Sequence, residues 1–377
     1  MKIGITCYPT FGGSGTIATE LGKHLALHGH QIHFITTALP YRLSEFVENV
    51  FYHEVHVFNY PLFDYVPYSL SLASKMAQVA LREDLDLLHV HYAVPHATSA
   101  YLAKQIIAGH KSLPVITTLH GTDITLVGND PSYYDITKFS IEQSDAITAV
   151  SAYLKNQTLY RFAIHKPIEV IPNFVDTKKF MPPRGSEKDC LLCLCEPGEK
   201  VIMHISNFRP VKRIPDIIEV FEGIARHVNA RLILVGSGPE TEKARLLIDE
   251  KGLKDRVNFL GIQNDVSKLI PCADIYILPS AHESFGLTAL EAMSCGVPVI
   301  GTSGSGMDEF LGDKTAGFLY PVGDVHGMIE GCLTILKDPE LARHMGDKGR
   351  ERAINEYDVD RILVRYENLY RRVTGRE

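Results

Sequence analysis

Residues 2–37 read KIGITCYPTFGGSGTIATELGKHLALHGHQIHFITT, and their order decides the fold. KIGITCYP is a short apolar run of the kind buried inside a parallel sheet. FGGSGT follows as a glycine turn. Ile17, Leu21, Leu25 and Leu27 then recur with helical spacing, and Gly29 closes the segment. QIHFITT is a second strand. Strand, glycine loop, helix and strand make a βαβ unit, whose strands run parallel. Strand-like runs recur at LDLLHVHYA (85–93), PVITTLHG (114–121), AITAVS (146–151) and IEVIPN (168–173), with helical segments between them. Such alternation predicts a parallel sheet covered on both faces.

The pattern restarts after residue 198. KVIMHIS, ARLILVGSG, RVNFLG, DIYILPS and PVIGT are strands, and IPDIIEVFEGIARH and PETEKARLLIDEKG are helices. The expected fold class is therefore α/β, with two Rossmann-like domains facing each other across a cleft. The expected boundaries are 1–170 and 171–358. An amphipathic helix over 359–377, DRILVRYENLYRRV at its centre, is expected to cross back to the first domain. Residues 171–198, with Pro172, Pro182, Pro183, Gly185 and Pro197, read as the connection. Ligands in open α/β sheets sit beyond the carboxyl ends of the strands, so the chemistry is expected in the loops there.

Composition narrows the function. A chain of 377 residues, 45% hydrophobic and 22% charged, suits two globular domains. A formal charge of -7 argues against a nucleic-acid binder. Residues 1–170 hold 11 Lys+Arg against 14 Asp+Glu, which offers no broad docking face for an anionic membrane. No run approaches the roughly 18 to 20 apolar residues that span a bilayer. MKIGITCYPTFGG lacks the apolar core of a signal peptide, so a cytoplasmic protein is expected. Seven scattered cysteines do not form a disulfide framework. The Cys190, Cys193 and Cys195 cluster has no second pair at zinc-finger spacing. His89, His91 and His96 lack an acidic partner nearby, so no metal is expected there either.

GGSGT (12–16) can set backbone N–H groups at a helix start against an anion, or serve as a tight turn alone. A dinucleotide site is disfavoured, because the spacing is not G-x-G-x-x-G and no acidic residue ends the second strand. VGSGP (235–239) and SGSGM (303–307) are similar turns. ESFGLTALEAMSCGVPVI (283–300) is more specific. Glu283 precedes a glycine-marked helix start whose free N–H groups suit a diphosphate, and Glu291 follows eight residues later. Carboxylates at both ends of such a site can accept hydrogen bonds from hydroxyls. The ligand implied is a nucleotide sugar.

This E-x7-E segment resembles that of the retaining glycosyltransferases of family 4, which have the GT-B fold. TLHGTD (118–123), IPNFVD (171–176), VGSGP and FLGIQNDV (259–266) extend the resemblance over the whole chain. The resemblance implies donor contacts at Gly13, Asn207, Gly236, Ile262, Ser284, Phe285, Gly286, Leu287, Thr288 and Glu291, with Glu291 on the ribose. It implies catalytic roles for His120, Lys212 and Glu283. In SNFRPVKR (206–213) the family's arginine position falls on Asn207, a departure that leaves Arg209 or Arg213 to supply the charge; Arg209 is favoured.

CYPTFGGSGTIATELG, HVHYAVPHA and TLHGTDITLVG narrow the resemblance to members acting on UDP-GlcNAc and L-malate at the first step of bacillithiol biosynthesis. Ser14, Thr16, Tyr92, Thr118 and Thr122 are then the expected acceptor ligands. UDP-GlcNAc is a substrate, and neither a cofactor nor a metal is expected. A homo-oligomer stays open. So do a sugar or lipid acceptor, an epimerase or hydrolase, and a silent binding module on the same fold.

Overall fold

The computed structural model describes residues 1–10, 12–43, 45–59, 62, 64–183, 195–196 and 198–376. The chain divides into two compact units, Met1–Asn173 with Asp360–Glu377, and Phe174–Val359. The first unit contains β1 (Lys2–Thr6), β2 (Gln31–Thr36), β3 (Val50–Glu54), β4 (Leu87–His91), β5 (Val115–Leu119), β6 (Ala146–Ala149) and β7 (Ile168–Val170). They form one seven-stranded sheet in the order β3-β2-β1-β4-β5-β6-β7. The second unit contains β8 (Lys200–Ile205), β9 (Ala230–Val235), β10 (Val257–Gly261), β11 (Ile275–Leu278), β12 (Val299–Thr302) and β13 (Gly317–Tyr320). Their order is β10-β9-β8-β11-β12-β13.

Every paired strand is parallel. Each sheet is therefore doubly wound. The winding reverses between β1 and β4 in one unit and between β8 and β11 in the other. Both halves are the Rossmann-like α/β folds expected from the alternation of strands and helices. Edge strands β3 and β13 were not among the expected ones. Their residues are half-buried or exposed at most positions; β3 (VFYHE) ends in polar residues, and β13 (GFLY) is only four residues long.

Leu72, Met76, Leu88, Val90 and Val115 are among the side chains that fill one core of the first unit. Ile202, Phe221, Leu232, Ile275 and Ile300 belong to the core of the second. The helix Val359–Thr374 packs in the first unit through buried Ile362, Leu363, Tyr366, Leu369 and Tyr370. Its Glu367 accepts from the rings of His28 (3.2 Å) and His30 (3.1 Å). Cys7, Cys295 and Cys332 are buried free thiols, and Cys272 is disulfide-bonded. Cys190 and Cys193 of the sequence cluster lie outside the described residues.

Arg350, on the helix Pro339–Glu356, ties the second unit together. Its guanidinium donates to Phe180 O (2.7 Å), Thr177 O (2.8 Å), Ser294 O (2.8 Å) and Ser294 Oγ (3.0 Å). A planar fork with several donors can serve this set, whereas a single ammonium cannot. Replacing Arg350 with Met removes all four of these bonds and leaves Phe180 O only its bond from Ser294 Oγ (2.6 Å), at a cost on the order of 2–4 kcal/mol. Urea unfolding of Arg350→Met is expected to show an earlier transition for the second unit, only partly restored in Arg350→Lys. A wild-type midpoint in Arg350→Met would contradict this account.

Candidate active site

The second unit gathers its polar groups at the β8/β11 reversal. Beyond β8, the loop Ser206–Arg213 carries the cations. Beyond β11, Glu283 lies in a loop and the helix spans Leu287–Ser294. Lys212 Nζ donates to Glu283 Oε1 at 2.5 Å, with both side chains largely buried. Ala281 N–H donates to Val211 O (2.8 Å), so the two loops are also joined through the backbone. Arg213 is locked in a bidentate pair with Asp216 (2.7 and 3.0 Å). Arg209 is exposed and makes no ion pair among the described residues, which favours it over Arg213 as the available cation. Asn207 Oδ1 is buried without a hydrogen-bond partner.

Close backbone approach shapes this loop. A Cβ at Gly236 would lie 1.8 Å from Ser206 O, and one at Gly238 would lie 1.9 Å from Asn207 O. Only glycine lets the turn after β9 press on the cationic loop. Gly286 has φ +97° and precedes the helix as its N-cap, with no side chain capping the first turn. The N–H groups of that turn are thus presented to a ligand. Phe285 contributes only backbone, because its ring packs on Phe310 (5.2 Å) and Tyr357 (5.8 Å). Ser284, Leu287 and Thr288 are half-buried along the helix start. Glu291 is 3% exposed, and Ile262, after β10, is 55% exposed.

Several supporting groups escaped the sequence reading. His204 donates from Nδ1 to Ile277 O (2.8 Å) and accepts at Nε2 from Ser206 Oγ (2.7 Å), which fixes β8 to β11 and shapes the cationic loop. Tyr276 binds the backbone of Ile205 with its hydroxyl and also bonds Thr288. Phe208 (φ +39°) and Arg213 (φ +52°) hold left-handed backbone, a strain that gathers at ligand sites.

In the first unit the reversal lies between β1 and β4. After β1 the helix Gly13–Leu27 begins behind Gly12, again with no capping side chain. Gly13 is exposed, and Ser14 Oγ donates to Tyr92 Oη (3.1 Å), joining the loops after β1 and β4. Tyr92 has φ +91°. His120 follows β5, and its Nε2 bonds His91 Nδ1 (2.8 Å). Thr122 is half-buried in the short helix Thr122–Thr125.

Two expected acceptor ligands are enclosed by their surroundings. Thr118 is fully buried, and its hydroxyl bonds His89 Nε2 and Thr148 Oγ1, each at 2.7 Å. It belongs to the interior of the sheet. Thr16 is also buried, and its N–H already donates to Gly12 O (3.0 Å). Asp123 is the residue the sequence reading passed over in TLHGTD. Fully buried, it accepts from the N–H groups of Ala93 and Gly121, each at 2.9 Å, and so clamps the loops after β4 and β5.

Burial keeps the histidines here neutral. It lowers His89 and His120 to about 3 and His96 to about 4, and it holds His91 well below the usual imidazole range. Most of their nitrogens make hydrogen bonds: His89 also bonds Tyr370, and His96 bonds His91 O. In the unfolded chain each titrates near pH 6.5. Below that pH the unfolded state binds more protons than the folded one, so stability falls with pH until the folded values are reached. Each histidine contributes a slope of up to about 1.4 kcal/mol per pH unit. The urea midpoint of the first unit is expected to drop clearly between pH 7.5 and pH 5; a flat profile would contradict the neutral assignment.

Comparison with known proteins agrees with this arrangement. Residues 11–179 match the family model "Glycosyltransferase Family 4", and residues 195–352 match "Glycosyl transferases group 1". The chain is 47% identical to N-acetyl-alpha-D-glucosaminyl L-malate synthase of Bacillus anthracis over 374 residues, 98% of this chain and 96% of the relative. Sucrose-phosphate synthase from Thermosynechococcus elongatus shares the fold with a TM-score of 0.83 at 21% identity, covering 100% of this chain and 99% of that one. Anabaena HepE, solved in complex with UDP and glucose, has a TM-score of 0.83 at 20% identity, covering 98% and 99%. With two Rossmann-like halves and a near full-length relative, the chain belongs to glycosyltransferase family 4.

Proposed function

We propose that the chain is a retaining glycosyltransferase that moves N-acetylglucosamine from UDP-GlcNAc to the hydroxyl of L-malate, as in the first step of bacillithiol biosynthesis. The observation that carries this reading is the 47% identity to the Bacillus anthracis malate synthase over nearly the whole chain. In this reading the donor diphosphate lies over the uncapped helix start at Leu287, where N–H groups and the helix dipole favour an anion. Lys212 exchanges part of its bond to Glu283 for the phosphate, whose charge is greatest as the anomeric bond breaks. Arg209 adds a second cation. Glu283 is assigned to the sugar and Glu291 to the ribose; in the first unit, His120 is assigned to a substrate hydroxyl.

Malate is a compact dianion. One carboxylate is assigned to the free N–H groups of Gly13 and Ser14, and the Tyr92 hydroxyl, which accepts from Ser14 Oγ, donates beside it. The malate oxygen attacks the anomeric carbon on the face that UDP leaves. The bond to the phosphate oxygen breaks, the bond to malate forms, and the malate proton passes to the departing phosphate. The reaction as proposed needs no metal and takes place in the cytoplasm. No helix among the described residues is long and apolar enough to cross a membrane.

Incubation with UDP-GlcNAc and L-malate, read by mass spectrometry, is expected to yield an N-acetylhexosaminyl malate and UDP in equal amounts. A chelator is expected to have no effect, and D-malate to be a poor acceptor. Ser14→Ala and Tyr92→Phe are expected to raise KM for malate while leaving UDP affinity near wild type. A glycoside formed on a neutral sugar but not on malate would overturn the acceptor assignment. Free N-acetylglucosamine released without any acceptor would point to a hydrolase instead.

A further inference from the structure

His91 has an orphaned atom that constrains its neighbour. The side chain is fully buried at the end of β4, with its ring 4.5 Å from that of His89 and 5.0 Å from that of His120. His96 donates to the His91 carbonyl, which fixes the backbone there. His91 Nδ1 bonds His120 Nε2 at 2.8 Å, and His91 Nε2 is buried with no hydrogen-bond partner. His120 is partly exposed, and its Nδ1 makes no hydrogen bond with any described residue.

Two neutral imidazoles joined in this way share one proton between them, and only two arrangements exist. If His120 Nε2–H donates, His91 must carry its own proton on Nε2, where that N–H is buried without an acceptor. Orphaned buried N–H groups are rarer than unused acceptors. If instead His91 Nδ1–H donates, its Nε2 is a bare lone pair, and His120 must carry its proton on Nδ1. The second arrangement leaves no buried donor unsatisfied.

We propose that His91 is a positioning residue that holds His120 in the Nδ1–H tautomer, so that His120 presents a hydrogen-bond donor, and not an acceptor, to a substrate hydroxyl. The substrate part of this proposal rests on the glycosyltransferase reading, whereas the tautomer does not. A sugar hydroxyl that meets this donor keeps its own proton free for an acceptor such as a carboxylate.

Two-bond proton–nitrogen NMR of histidine-labelled protein reads the tautomer directly, with His120→Asn identifying the His120 signals. The wild type is expected to carry its proton on Nδ1. His91→Asn, whose side-chain amide can donate from nearly the same place, is expected to keep that tautomer; His91→Leu is expected to lose it. Turnover of UDP-GlcNAc should fall about tenfold in His91→Leu through kcat, with the malate KM little changed, and recover most of the way in His91→Asn. A wild-type His120 protonated on Nε2 would overturn the proposal. So would a His91→Leu protein in which His120 stays on Nδ1, or equal turnover in His91→Leu and wild type. If the NMR results hold and the wild type does not turn over UDP-GlcNAc at all, the tautomer assignment stands and the functional reading fails.

Discussion

The reversal of winding in each sheet is the constraint from which the rest follows. At β1/β4 and at β8/β11, the connections leave neighbouring strands toward opposite faces, so the loops beyond the strand ends separate and leave room for a ligand. The paired polar groups of the molecule bridge these two places. Ser14 and Tyr92 meet across one, and Lys212 and Glu283 meet across the other. The uncapped helices that begin beside them, at Gly13 in the first unit and at Leu287 in the second, each present N–H groups at the reversal of their own sheet.

The two units manage charge in different ways. The first buries His89, His91 and His96, half-buries His120 near its strand ends, and keeps all four neutral, because desolvation outweighs every favourable contact. Their hydrogen bonds set direction rather than charge. The second holds a charged pair in a largely buried place, where Lys212 is compensated by Glu283 until a ligand arrives. A diphosphate can take over the lysine without leaving Glu283 idle, since sugar hydroxyls can replace the lost donor. That exchange suits a reaction in which negative charge grows on a leaving phosphate.

The amino-acid sequence carries the architecture in its apolar runs, because central parallel strands are buried on both faces and read as unbroken hydrophobic stretches. The edge strands escape this reading, because β3 ends in polar residues and the apolar run of β13 is only four residues long. The helix beginning at Leu287 was legible from Gly286 and the residues around it. Thr118 shows a geometric ambiguity. A residue at the end of a strand faces either the ligand or the sheet interior, and its type does not say which; here His89 and Thr148 engage the hydroxyl inside. Asp123, His91, His204 and Tyr276 were not assigned site roles, because each acts on backbone or on another side chain far away in sequence. His91 and His120 are 29 positions apart, and Tyr276 and Ile205 are 71 apart. Such pairings are set by strand order, which the sequence pattern leaves open.

The proposed chemistry requires the β8/β11 reversal to act as a nucleotide-diphosphate site with Lys212 as its principal cation. Calorimetric titration of UDP into wild-type protein and Lys212→Met tests this most directly. Losing a charge-assisted hydrogen bond to the phosphate is expected to weaken UDP binding roughly tenfold to a hundredfold. The same UDP affinity in Lys212→Met as in the wild type would contradict the account.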